Sequence, residues 1–193
     1  MGDWVTVTKG SQACPTASQV TPAPKAAVCE VLFFPDDALP CRFMGNCRRN
    51  NCDKAHQATS LSRMLDFLRS AQRSLDICVF TITCDEIADV LFDAHKRGVQ
   101  VRIISDDDQM ASNGSDVARL RRAGIAAKID NSKAHMHNKF AIIDQRLLMN
   151  GSFNWTRQAA IGNNENVVVQ DTPQLVSDFG KYFESLWKQF QGI

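Results

Sequence analysis

His137-Asn138-Lys139-Phe140-Ala141-Ile142-Ile143-Asp144 sets an imidazole and an ammonium two residues apart at the head of an apolar, β-branched run. Strand side chains alternate faces, so an extended segment His137–Ile143 predicts His137 and Lys139 on one side. An imidazole can attack phosphorus or donate a proton, and a lysine beside it can hold a phosphate oxygen as a point charge. Asp144 lies at an odd offset from both. It therefore points away or sits past the strand end, as a structural partner rather than an acid at the reacting centre. Gly151-Ser152-Phe153-Asn154 follows, with a glycine for close approach and a hydroxyl and an amide suited to anchoring a phosphodiester. His135 falls on the same predicted face, where it lines the cleft as a spectator.

A His-x-Lys pair alone is a weak signal. The full string His-x-Lys-x4-Asp-x6-Gly-Ser-x-Asn, with Glu165 ahead in Asn163-Asn164-Glu165-Asn166, is far more specific. It resembles the phospholipase D superfamily, whose active site is named for this His-Lys-Asp motif. The resemblance implies a catalytic set of His137, Lys139, Asp144, Asn154 and Glu165. In it His137 is the nucleophile, Lys139 and Asn154 bind phosphate, and Glu165 bonds the other imidazole nitrogen, fixing the tautomer.

A second group of chemistry-bearing residues is Cys41-x5-Cys47-x4-Cys52-x3-His56. Three thiolates and one imidazole so close together can close a tetrahedral structural zinc site in a loop too short for a core of its own. The spacing resembles CCCH-type zinc fingers, which often bind RNA. Arg42, Arg48, Arg49 and Lys54 ride on the same loop against Asp53. Such a cluster is either a solvated face or, if the loop lies beside the cleft, a positive rim for a phosphate backbone. Cys78, in an apolar strand, is a core residue; Cys29 is near enough to the insert to serve as an alternate ligand, and Cys14 has no assigned role. Asp106-Asp107-Asp108 follows a strand at the end where α/β sites lie, but a solvated acidic loop accounts for it. Histidine-based phosphoryl transfer needs no metal.

Elements must position these groups. Residues 1–28 are rich in Thr, Ala, Ser, Gln and Pro and predict a disordered leader. The rest, 29–193, predicts one domain with the finger insert at about 41–56. Glu30–Phe34 predicts a strand ended by Pro35, and Ser60 N-caps a helix to Gln72 with Leu61, Met64, Leu65 and Leu68 on one face. Strands follow at Leu75–Thr81, Val99–Ser105, Ile125–Ile129, His137–Ile143, Arg146–Met149 and Asn166–Gln170. Helices are expected at Asp85–Arg97 and Asp116–Ala123, closed by Gly98 and Gly124, and at Pro173–Phe190. The rhythm predicts an α/β fold, a mixed sheet sandwiched between helices, which agrees with the α-β-α fold the resemblance implies.

Composition adds limits. With 193 residues and a net charge of +1, the chain has no global electrostatic signature for nucleic acid. Seven cysteines, an odd count, argue against a closed disulfide framework and for a reduced, cytosol-facing compartment. No apolar run is long enough to span a bilayer. The opening Met-Gly-Asp-Trp matches a myristoylation pattern only loosely.

One motif per chain, the finger insert and the small size resemble the Zucchini, or mitochondrial phospholipase D, family. That likeness implies an endoribonuclease for single-stranded RNA in PIWI-interacting RNA biogenesis, metal-independent and acting through a phosphohistidine, and able to cut single-stranded DNA. The alternative is cardiolipin hydrolysis. It also implies an anchor in the mitochondrial outer membrane, whereas residues 1–28 contain no such helix, so a soluble cytoplasmic form is the other expectation. In-line transfer through phosphohistidine needs two imidazoles, and the chain has one His-x-Lys set, which predicts a homodimer sharing one cleft.

Overall fold

The computed structural model describes residues 28–106, 116–130 and 134–192. The expected leader, except Val28, and Asp107 and Asp108 lie outside the described residues. The elements are β1 (Cys29–Phe34), α1 (Ser60–Arg69), β2 (Ser74–Val79), α2 (Asp85–Lys96), β3 (Gln100–Ser105), α3 (Asp116–Arg122) and β4 (Ala126–Ile129). Then come β5 (Lys139–Ile143), β6 (Leu147–Gly151), α4 (Arg157–Ile161), β7 (Glu165–Gln170), α5 (Pro173–Gln189) and β8 (Gln191–Gly192).

The strands form one sheet in the order β1-β7-β6-β5-β2-β3-β4-β8. β2, β3 and β4 run parallel, and the other pairs are antiparallel. Alternation within β5 divides the interior. Ala141 and Ile143 face a large core shared with α1, α2 and α3, while Phe140 and Ile142 face a second core under α5. This is the expected mixed sheet between helices. On the α5 side, Arg102 donates to buried Asp76 at 2.7 Å and to Glu184 at 2.6 Å, and its guanidinium lies over the Phe183 and Trp187 rings.

Several boundaries differ from the expectations for physical reasons. Thr59, not Ser60, caps α1: its hydroxyl accepts from Ser62 N–H at 3.1 Å while Ser62 Oγ accepts from Thr59 N–H at 2.8 Å. Ser60 and Leu61 N–H donate instead to Asp36, at 2.9 and 2.8 Å, tying α1 to the end of β1. The short helix α4 was not expected; Thr156 caps it through Ala159 N–H at 3.0 Å. The β5–β6 connection carries positive φ at both Asp144 (54°) and Gln145 (55°), the central residues of a turn closed by Arg146 N–H donating to Ile143 O at 2.9 Å.

Strand direction gathers one set of ends. The carboxyl ends of β2, β3, β4 and β6, the amino ends of β5 and β7, and the exit of β1 all lie at one edge of the sheet, as the registers Val79↔Lys139, Gly151↔Val167 and Phe34↔Glu165 require.

Candidate active site and metal cluster

His137 is not in the strand. β5 starts at Lys139, and residues 134–138 lead into it without regular structure. Long-range contacts hold this lead. Met136 N–H donates to Asp106 Oδ2 at 2.9 Å, and the buried Met136 sulfur lies 3.3 Å from Cys78 Sγ. Phe80 N–H donates to Asn138 O at 3.1 Å, and Asn138 Nδ2 reaches Tyr182 Oη at 3.4 Å. So braced, the exposed His137 ring meets Phe80 at 4.9 Å and 61°.

Lys139 turns back to the same place. Its Nζ donates to His137 O at 2.8 Å and lies 5.5 Å from the Phe80 centroid. Burial lowers its ammonium pKa, against the opposing pull of Glu165 and Cys78. Glu165, the first residue of β7, accepts from the Ser152 hydroxyl and from Asn163 Nδ2, the latter at 3.1 Å. Among the described residues these are the hydrogen bonds of Glu165, in place of the expected carboxylate–imidazole bond within the chain. Ser152 Oγ also accepts from Asn166 N–H at 3.1 Å. Gly151 is required here, because a Cβ would lie 2.0 Å from Asn166 O. Asn154 follows, its buried Oδ1 without a hydrogen-bond partner among the described residues.

Asp144 stands at the opposite end of β5 from His137. Its carboxylate accepts from the backbone N–H of Gln72 (3.0 Å), Arg73 (2.7 Å) and Ser74 (2.9 Å), joining the β5–β6 turn to the start of β2. Burial pushes its pKa up, but these three donors together outweigh it and hold the carboxyl below its ordinary value. The geometry is that of a structural anchor, remote from the reacting groups.

Asp106 departs from the solvated acidic loop expected of it. Fully buried at the end of β3, it accepts from Met136 N–H and lies 3.3 Å from His135 Nδ1. An alternating apolar strand ending in an aspartate is the signal that could have marked it.

Cys41, Cys47, Cys52 and His56 converge, one donor atom from each lying within 4.8 Å of the others. Cys41 and Cys52 sulfurs are 3.9 Å apart. A tetrahedron with zinc–sulfur bonds of about 2.3 Å has edges of roughly 3.8 Å, so the donor set fits one such ion. The Arg49 backbone N–H, then His56, lowers the Cys47 thiol to about 7, while burial raises that of Cys41. Cys29 is excluded as an alternate ligand: it opens β1, opposite Gln170, at the other end of the strand from the insert. Cys78 is buried in the core. The base of the insert is closed by backbone bonds from Cys41 N–H to Ala55 O (2.8 Å) and from Ala55 N–H to Leu39 O (2.9 Å).

Two basic residues of the insert are held in ion pairs. Arg42 pairs with Asp89 of α2, and Lys54 with Asp53 at 2.7 Å. With Arg49 they line a groove of about 1190 Å³ between the insert and helices α1 and α2. Arg48 and Arg49 are exposed. The insert also presents Phe43 (53% exposed) and Met44 (44%), and β1 presents Phe33 (70%) beside Asn166. These apolar groups went unremarked in the sequence. Among the described residues, no helix is long and apolar enough to cross a membrane.

Residues 64–187 match the family described as cardiolipin synthase, PLD-like domain. The chain is 55% identical over 185 residues to the mitochondrial cardiolipin hydrolase of Chlamydomonas reinhardtii, covering 94% of this chain and 82% of that protein. It is 41% identical to the Xenopus tropicalis protein of the same name, over 83% of this chain and 77% of that one. Among solved structures, a phospholipase D family member, Nuc from Salmonella typhimurium, superposes with a TM-score of 0.71 at 25% identity, over 86% of this chain and 97% of that one.

Proposed function

The chain belongs to the phospholipase D superfamily, and from that premise we propose that it hydrolyses a phosphodiester through covalent attack by His137. The observation that carries the reading is the gathering of His137, Lys139, Ser152, Asn154 and Glu165 at one edge of the sheet. His137 attacks phosphorus and expels one alcohol, giving a phosphohistidine; water then attacks that phosphorus and releases the phosphomonoester. Lys139 Nζ and Asn154 Nδ2 donate to the non-bridging oxygens. A second, protonated imidazole releases the leaving oxygen. In our reading it is the His137 of a second copy, in a homodimer with both sites at the two-fold axis. No step requires a catalytic metal, and the Cys41, Cys47, Cys52, His56 set holds one structural zinc. Residues 29–193 then form one catalytic domain carrying the finger.

Cardiolipin is the substrate these observations favour. Both relatives are named for that activity, and the exposed Phe33, Phe43 and Met44 suit contact with a lipid surface. The same names support a mitochondrial location; attachment at the outer-membrane face rests on resemblance alone. Arg42 and Lys54 are already ion-paired, which leaves less free positive charge for an RNA backbone. Exposed Arg48 and Arg49 keep a second reading alive: endonuclease cleavage of single-stranded RNA in PIWI-interacting RNA biogenesis. The deciding experiment incubates purified protein with cardiolipin vesicles and with labelled single-stranded RNA, each beside a His137→Asn control. Phosphatidate and phosphatidylglycerol formed only by the unmutated protein support the first reading. RNA cleavage without lipid turnover establishes the second.

A further inference from the structure

The tip of the insert carries apolar side chains on a loop with no core to cover them. Phe43 and Met44 are 53% and 44% exposed. They sit on a double turn, in which Met44 N–H donates to Cys41 O at 3.1 Å and Asn46 N–H donates to Phe43 O at 2.9 Å. Gly45 supplies the positive φ, 87°, at the third position of the second turn. Backbone bonds at the neck and the four converging ligand side chains hold this tip from below. The pair is thus kept in water by a closed frame, against the hydrophobic effect.

The charges around the tip are unequal. Between Asp37 and Asp53 the chain has no acidic residue, and Arg42, Arg48 and Arg49 fall in that interval. Across the groove α2 contributes four acids, of which three are matched by cations: Asp89 by Arg42, Asp85 by Arg119 at 3.2 Å and Asp93 by Lys96 at 3.9 Å. The fourth, Glu86, accepts from Cys84 Sγ at 3.3 Å. Among the described residues Arg48 and Arg49 make no ion pair, and both are exposed. They are the surplus charge of the insert.

An aromatic ring and a thioether chain side by side, with free guanidiniums close in sequence, match the boundary layer of a bilayer. Apolar groups enter that layer while arginines stay with the lipid phosphates. A nucleic-acid strand stacks its bases on rings in series, and the tip offers one ring. The insert also leaves and rejoins the fold at the edge that carries the reacting groups, since β1 exits there at Phe34 and α1 starts there under Asp36.

We propose that the tip of the insert, Phe43 and Met44 with Arg48 and Arg49, docks the protein on an anionic bilayer surface, separately from the reacting site. The inference deepens the lipid reading above, and a water-soluble diester tells the two apart. Its test is cosedimentation with vesicles of phosphatidylcholine alone and of phosphatidylcholine mixed with phosphatidylserine. The unmutated protein is compared with a Phe43→Ser, Met44→Ser double variant and an Arg48→Gln, Arg49→Gln double variant. Hydrolysis of bis(p-nitrophenyl) phosphate reads the reacting site without a membrane.

The unmutated protein should prefer the mixed vesicles. Loss of Phe43 and Met44 should weaken binding to them by roughly tenfold or more, with melting and nitrophenyl ester hydrolysis unchanged. Loss of Arg48 and Arg49 should reduce the preference for mixed over neutral vesicles by roughly 30-fold, and high salt should do the same to the unmutated protein. Equal binding by the unmutated protein and the apolar variant overturns the inference. So does a parallel loss of vesicle binding and ester hydrolysis in that variant, which would make the tip part of the reacting site. Binding of labelled single-stranded RNA through Arg48 and Arg49, with vesicles left unbound, overturns it in favour of nucleic acid. Docking that persists in a protein unable to hydrolyse any diester sustains the surface and removes the phosphodiesterase reading.

Discussion

His137 and Lys139 differ in how tightly the protein holds them, and the difference suits their tasks. The imidazole rests on Phe80 in solvent, whereas the ammonium is drawn inward, where burial works against its charge. A phosphate oxygen is the compensating anion. Replacing Lys139 by Met should therefore lower kcat/KM by at least 100-fold, about 2.7 kcal/mol of transition-state stabilisation, while leaving melting unchanged or raised. His137→Asn should bind substrate and not turn it over. Acid quench of the unmutated protein should trap phosphate on protein, and activity should survive EDTA under conditions that leave the finger loaded. Mg²⁺-dependent turnover with no trapped species would defeat the covalent route. If RNA is cut, attack by imidazole leaves the 2′-hydroxyl idle, so the products carry a 5′-phosphate and a 3′-hydroxyl.

At the scale of elements, Asp144 and Gly151 show what holds the catalytic edge. The Asp144 carboxyl, depressed in the fold, contributes stability that is present above its unfolded pKa of about 3.9 and is lost as pH falls through the folded value. Asp144→Ala should cost about 1–3 kcal/mol at pH 7. The gap in melting between variant and unmutated protein should close progressively below about pH 4; a gap independent of pH would refute the anchoring role. Gly151→Ala forces β6 away from Asn166 and should cost about 1–3 kcal/mol, read by denaturant titration, together with activity, since Ser152 and Glu165 flank the contact.

What sequence could and could not reveal follows the range of the forces involved. The strands, the two glycine-closed helices and the reactive residue types were legible because periodicity and motif are local. His137 was placed one element too far because pins from Asp106, Cys78 and Tyr182, all distant in sequence, keep its segment out of the strand. The Thr59 cap was missed because Ser62 rather than Glu or Gln closes the box. The partners of Glu165 were missed because they depend on the β6–β7 register.

For the whole molecule, the shared-site dimer and the metal make separable claims. When unmutated protein is mixed and exchanged with excess His137→Asn, activity should fall near the square of the unmutated fraction. A linear fall, or full activity in a protein that sediments as a monomer, assigns the site to one chain. Elemental analysis should find one zinc per chain, and Cys52→Ser should release it and lower melting. Zinc near zero with unchanged melting would leave the cysteines without a metal-binding role.

The insert is clasped at its neck, where Cys41 N–H donates to Ala55 O and Ala55 N–H donates back to Leu39 O, and Asp36 clamps the start of α1 just outside. Everything past that clasp hangs from a frame that is already closed. Descendants of such a chain are free to lengthen, strip or exchange the tip without renegotiating the sheet or the residues that do the chemistry. The bond-breaking centre and the surface that greets its substrates can thus change as separate inventions, and new targets can be acquired without relearning the reaction.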